Sequence, residues 1–334
     1  MADEVRRRRH GASTTFVRVA SVSVDPSAPL TALGAAGEVR IVGTPASRQA
    51  AVARVRAVAA AAGGVPVSAF SLADLETLAS ADRAPLRSLL QELRAAGLEL
   101  VAEAPIDALA DARRSIEEVH VAGLTLARLT VDRSPSPDPL PLLTSVADLQ
   151  RAVGVLRVFA PLPRRFNPAA PSTGFDDVKR VALARIVADN VPSIQVDWAL
   201  YGPKLAQVAL TVGADDVDAV SVDEDAAQGR RRSPIEDVRR NIQAAGYDAV
   251  ERNGRFDRLD QRLILTPLFE RRGQCVVTHH APAAQRDDAP RRRFGCGVLA
   301  KTPLRLRQLK ESARVGRPGH DDLGQQIAGL GQRL

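Results

Sequence analysis

Between Ser193 and Asp223 the chain reads SIQVDWALYGPKLAQVALTVGADDVDAVSVD. The first run, SIQVDW (193–198), has the short, β-branched character of a strand, and VDAVSVD (217–223) repeats it. Between them, residues 202–212 place apolar side chains three and four apart, the spacing of a helix packed on one face. Strand, helix and second strand in that order are the repeating unit of a parallel α/β fold. Trp198, the only tryptophan of the chain, falls where the first strand is expected to end.

The same unit recurs outward in both directions. Strands are expected at 14–24, 38–43, 65–70, 98–103, 124–131 and 155–162, bounded by Gly, Pro or Asp as strands buried on both faces are. Helical spacing fills 46–62, 83–96, 109–121, 143–153, 175–188 and 234–245. Thr173 is placed to cap one helix, Ser233 precedes Pro234 at the start of another, and glycines follow RAA and QAA. Eight strands separated by helices predict a (β/α)8 barrel, with an open doubly wound sheet as the alternative. The first crossover is short: DPSAPLTALGAAGE (25–38) leaves no room for a full helix and two loops.

Composition divides the chain. Its 334 residues carry a net charge of +7, and 259–334 alone holds fourteen basic and seven acidic residues, so 1–258 is neutral. We therefore expect a barrel over 1–258 and a basic, disordered extension over 259–334. No apolar run is long enough to span a membrane and no apolar core follows the basic start MADEVRRRRH, so a cytoplasmic protein is expected. Arg6–Arg9 read as a solvated helix face, with nucleic acid or phospholipid contact as the alternative. In the extension, Cys275, His279, His280 and Cys296 fit no standard zinc spacing, so no metal is expected. The arginines there permit weak, non-specific nucleic-acid binding.

In barrels of this type chemistry gathers where strands end. Those ends here are Asp25, Gly43, Phe70, Glu103, Asp132, PLPRR (161–165), Asp197 with Trp198, and Asp223 with Glu224. Glu103, Arg164, Gln195, Trp198 and Asp223 are the candidate substrate contacts; Asp107 and Asp223 are the candidate acid–base pair. Trp198 could stack on a ligand ring, although packing at the core or rim is the plainer reading. Asp197 and Trp198 cannot both face the lumen along a regular strand. Asp215 and Asp216, after Gly213, read as a solvated turn, and His120 as a structural or exposed helix residue.

The words of the sequence also carry a resemblance. VALARIVADNVPSIQVDWALYGPKLAQVALTVGADDVDAV and the closing IQAAGYDAVERNGRF resemble the C-terminal half of radical S-adenosylmethionine enzymes of menaquinone and deazaflavin biosynthesis. These are aminofutalosine synthase, dehypoxanthine futalosine cyclase and the related FO synthase subunit. ADEVRRRRHG, EVRIVG, SLADLETLA, LLQELRAAGLE, SIEEVHVAGL and FAPLPRRFNP extend the likeness over about residues 2–258. The resemblance implies a 4Fe–4S cluster held by a CxxxCxxC motif after the first strand, with S-adenosylmethionine on its open iron. In this chain SVSVDPSAPLTALGAAGE has no cysteine. Asp107 stands where the family has Glu, Thr44 follows Gly43 in place of a glycine pair, and Ala219 and Asp223 replace Gly and Glu. The expectation is a cluster-less relative with no confident cofactor. It would act as a binder of a pathway-like small molecule or a partner of a cluster-bearing paralogue. A barrel with new acid–base chemistry, or an active member of the pathway, are the alternatives.

Overall fold

The closed wall of the molecule follows from one long strand that serves two neighbours on the same edge. In the computed structural model, which describes residues 1–259 except 31–32, 134–137, 166, 169–170 and 223–232, β1 is Ser13–Ser23. Its upper half, Val19–Ser23, pairs with β2 (Glu38–Val42). Its lower half, Ser13–Val17, pairs with β10 (Asp248–Arg252). The opposite edge takes β9 (Asp216–Ser221), which closes the ring. Around the ring run β3 (Val67–Ser71), β4 (Leu100–Pro105), a fifth strand in two pieces, β7 (Val158–Pro163) and β8 (Ser193–Asp197), all parallel. The two pieces are β5 (Thr125–Leu126) and β6 (Leu129–Val131), interrupted at Ala127–Arg128. The predicted (β/α)8 barrel is therefore the observed fold, with β10 as a ninth strand beneath β2 that the sequence reading did not assign.

Helices cover the outside of the ring: α2 (Arg48–Ala61), α3 (Leu72–Ala81), α4 (Leu86–Ala95), α5 (Ala112–Val121), α6 (Leu140–Val153), α7 (Gly174–Val187), α8 (Trp198–Thr211) and α9 (Pro234–Ala244). Each turns an apolar stripe inward. Leu89, Leu90 and Leu93 of α4 are fully buried, each contributing roughly 1.5–3 kcal/mol by leaving water. Thr173 and Asp176 form the expected capping box on α7, whereas Ser233 occupies the N-cap position of α9 without a side-chain cap bond. Gly97 follows α4 at φ +105, and a Cβ there would lie 2.6 Å from that of Ala59. Between β1 and β2 the described residues hold a short 3-10 turn, Leu33–Ala35, where the other crossovers carry an α-helix. The extension beyond Leu259, with Cys275, His279, His280 and Cys296, lies outside the described residues.

The basic run near the N-terminus corrects the sequence reading. α1 (Ala2–His10) closes the lower end of the barrel, and Arg6, expected on a solvated face, has no exposed surface. Its guanidinium donates to the carbonyls of Ala214, Gly11 and Ser13 and to Thr14, and stacks 3.5 Å above the Tyr247 ring. Arg9 donates to Val191 O, and His10 Nε2 lies 2.9 Å from Pro192 O. These carbonyls follow the ends of α7 and α8, where helix dipoles leave partial negative charge that cations complement. Asp215 and Asp216 are likewise no solvated turn. They are 3% and 0% exposed, paired with the buried Arg185 and Arg252. The run GADDVDAV gives no hint of those distant partners.

Arg6→Met is expected to lower stability by about 2–4 kcal/mol, because the buried Ala214 carbonyl and Thr14, with two half-buried carbonyls, lose their donor. Arg8, whose partner is the exposed Glu4 one turn away, serves as the control: Arg8→Ala should leave the denaturation midpoint unmoved in urea unfolding.

Candidate functional site

Small α/β barrels usually fill their lumen with branched apolar side chains. Here the middle of the ring is ionic. Arg40 of β2, Arg128 at the break in the fifth strand and Asp218 of β9 come from strands that are not neighbours, and they meet inside the barrel. Arg40 makes a two-pronged contact with Asp218 at 3.1 and 2.9 Å and also donates to Glu38 at 2.9 Å. Arg128 donates to the same Asp218 at 2.6 Å. Below them Asp216 accepts two bonds from Arg252, both 2.6 Å, with Thr15 and Gln195 completing its shell. On the outer face of the ring Arg18 pairs with Glu251 at 2.6 Å, beside Arg239 of α9. Within the ring three arginines and three carboxylates balance, which is what permits charge in a water-poor space.

Above this layer a cavity of about 530 Å³ opens at the carboxyl ends of the strands. Arg40 and Arg128 are its deepest charged groups, 7% and 4% exposed. Ile41, Phe70, Ala102, Ala219 and Leu200 give it apolar walls, and Glu103, Arg164 and Asp197 stand at its rim. The floor arginines are not equivalent. Burial opposes the charge of Arg40, but Asp218 and Glu38 more than offset this and hold it protonated. Burial and the repulsion of Arg40 together push the pKa of Arg128 down against the pull of Asp218. Arg128 Nε is buried with no hydrogen-bond partner among the described residues. Asp218 answers both guanidinium groups: burial would raise its pKa, yet Arg128 and Arg40 hold it well below the usual carboxylate range.

Two backbone sites in the cavity wall are strained. Phe70 and Ala219 adopt φ +61 and +57, the left-handed region that costs a residue with a Cβ about 1–3 kcal/mol. Ala219 stands where the resemblance places a glycine, so the conformation natural to glycine persists without it.

The sequence-derived candidates divide in space. Glu103 and Arg164 line the cavity together. Arg164 Nε lies 3.1 Å from Glu103 Oε2, a charge contact without hydrogen-bond alignment, and its other end pairs with Asp197. Gln195 sits below the cavity, 2% exposed and bonded to Asp216. Trp198 packs half-buried on the hydrophobic core outside the cavity lining; β8 stops at Asp197 and Trp198 begins a helical turn. Both oxygens of Asp107 accept backbone amides, of Asp132 at 2.7 Å and Arg133 at 2.8 Å, away from the cavity. Asp223 lies outside the described residues. Arg40, Arg128 and Asp218 were not named from sequence, although the lone charge in LTLARLTV and the pair in EVRIVG, inside otherwise buried strands, were the available sign.

Comparison with known proteins bears out the resemblance. Residues 163–263 match the family model described as the CofH/MqnC C-terminal region. The chain is 30% identical over 187 residues to aminodeoxyfutalosine synthase of Thermus thermophilus, covering 48% of this chain and 50% of that enzyme. It is 24% identical over 220 residues to cyclic dehypoxanthine futalosine synthase of Streptomyces coelicolor, covering 58% and 55%. The chain thus spans about half the length of these curated relatives. Among solved structures, methylornithine synthase shares the fold with a TM-score of 0.52 at 13% identity, over 74% of this chain and 87% of that one. No helix among the described residues is long and apolar enough to cross a membrane.

Two substitutions probe this layer. Asp218→Asn leaves two buried guanidinium groups without their shared anion and should cost about 3–5 kcal/mol. Because the folded pKa of Asp218 is depressed, its contribution is complete above the unfolded value near 4 and fades as pH falls below it. Acid titrations of stability should therefore show a shallower loss below about pH 4 in Asp218→Asn than in the parent. Ala219→Gly should raise stability by about 1 kcal/mol through relief of the positive φ, read from chemical denaturation.

Proposed function

We propose that this chain is a cluster-less relative of the futalosine-pathway radical enzymes, a barrel that binds a small organic anion at its mouth. The observation that carries the reading is Arg128: a buried guanidinium in the cavity wall, answered by half of a carboxylate and with an Nε left unpartnered. An anion entering the cavity would complete its shell and relieve the charge it shares with Arg40. The apolar walls suit a carboxylate carried on a ring or short hydrocarbon. The similar proteins named as futalosine enzymes direct the choice toward aromatic carboxylates and futalosine-like nucleosides.

The absence of radical chemistry in this reading rests on donors. The cluster implied by the resemblance needs three thiolates after the first strand, and residues 24–37 contain none. The carboxylate there, Asp25, accepts from the backbone and hydroxyl of Ser27 and is a hard oxygen donor ill matched to such a cluster. Among the described residues no group of three metal-ligating side chains is assembled. The residues present do not fit the cluster, and no step is routed through it. The alternative of acid–base catalysis loses support at Asp107, whose oxygens are both engaged in holding the loop after β6. A cluster-bearing paralogue would then be the natural supplier or consumer of the bound molecule.

Anaerobic reconstitution of the full chain with iron and sulfide should give no 4Fe–4S absorbance and no cleavage of S-adenosylmethionine; either signal overturns the cluster-less reading. Calorimetric titration with aromatic carboxylates and futalosine-like nucleosides should find binding that Arg128→Met weakens about ten- to hundred-fold, the value of a charge-assisted hydrogen bond. Binding that ignores Arg128→Met would move the site elsewhere.

A further inference from the structure

β7 carries two prolines, Pro161 and Pro163, inside a barrel wall where every strand needs donors on both edges. Their parity is informative. Ser193 N donates to Arg157 O, and Arg164 N donates to Val131 O. At both ends of β7 odd-numbered residues present their backbone to β8 and even-numbered ones to β6, and between them β7 carries two extra residues against β6, from Phe159 to Pro163. Both prolines fall on the β8 side, where they have no N–H to give. Pairing of β7 with β8 is accordingly confined to Val158 with Ser193 and Phe159 with Ile194. Gln195, Val196 and Asp197 remain paired to β9 on their other edge. The wall thus has a seam between β7 and β8 that runs from mid-barrel up to the mouth.

The turn that continues β8 stands over this seam. Residues 198–201 form one helical turn, which ends at Gly202 with φ 74 and ψ 168, a conformation open to glycine alone; Pro203 then starts the main body of α8. Asp197 accepts from Leu200 N at 2.9 Å and so caps the turn. Leu200 is 49% exposed and lines the cavity. Among the described residues two side-chain contacts tie the β8 side to the β7 side above the paired part: Tyr201 OH donates to Pro163 O at 2.5 Å, and Arg164 pairs with Asp197. Side chains thus replace the ladder bonds that the prolines removed.

We propose that residues 198–201 are a flap hinged at Gly202, latched by Tyr201 and Arg164, and that the mouth cavity fills sideways through the seam when it lifts. The route rests on the cavity being a ligand site; the flap does not. Arg164 links the two, since an anion drawn to its guanidinium competes with Asp197 and loosens the latch.

The test uses the full chain, amide hydrogen exchange without ligand, and stopped-flow binding of 8-anilinonaphthalene-1-sulfonate, an apolar anion. Amides of 199–202 should exchange well before global unfolding. Tyr201→Phe should speed them roughly five-fold, the worth of one hydrogen bond, while amides of α3–α5 stay unchanged. The same variant should bind the probe faster. Pro161→Val, which returns a donor to the seam, should slow both; if it misfolds, Tyr201→Phe still decides. Flap amides protected to the global limit in the parent and in Tyr201→Phe overturn the flap. A responsive flap with an unchanged association rate overturns the side route. A responsive flap with no probe binding at all upholds the flap and counts against the anion site.

Discussion

One carboxylate, Asp218, has to neutralise two guanidinium groups in a space with almost no water, and much of the barrel is arranged around that demand. Arg40 reaches it from β2 and Arg128 from the break in the fifth strand, so the contact fixes three non-adjacent strands at once. Such a triad is stable only while every member stays charged and oriented. Glu38, itself held by the Ser68 hydroxyl, supports Arg40 from behind, and the Asp216–Arg252 pair supports the layer beneath. An ionic lumen gives up some of the stability that an aliphatic one would supply. In return it sets charged donors at the base of a cavity, where an apolar lumen would offer none.

The strand pattern was legible because burial on both faces leaves a plain mark, a short β-branched run between turn residues. Each of the eight barrel strands falls within a few residues of its expected place, and the clipped first crossover holds a 3-10 turn among the described residues. What escaped notice was everything that depends on partners distant in sequence. DAVER (248–252) carries charge at 248, 251 and 252 and looks like a loop, yet it pairs with β1, with Arg252 bound to Asp216 inside the barrel and Glu251 to Arg18 and Arg239 on its outer face. Arg6 and Asp215 looked solvated for the same reason: a charged residue advertises exposure until its counter-charge or carbonyl is known.

The site was half legible. Strand ends located Glu103 and Arg164 correctly, since the barrel places them at the mouth whatever their chemistry. Trp198 was singled out for rarity, and rarity measured ancestry better than position. It belongs to the stretch that matches the CofH/MqnC C-terminal region, but its ring packs on the core. Ala219 shows the reverse case: a small, unremarkable residue whose positive φ preserves the shape of a site.

The clamp formed by α1 has a consequence for how the chain is made. Beside its local bonds to residues 11–14, α1 is held by carbonyls at residues 191, 192 and 214, and Arg6 stacks on Tyr247. The α1 segment therefore settles only late, since its partners at residues 191, 192, 214 and 247 are synthesised about two hundred residues after it. Closure of the ring through β1, β9 and β10 shares that long sequence separation. Such topology slows folding and leaves early strands waiting with open edges. Four consecutive arginines within α1 favour its solvation until the barrel's lower end exists to receive it.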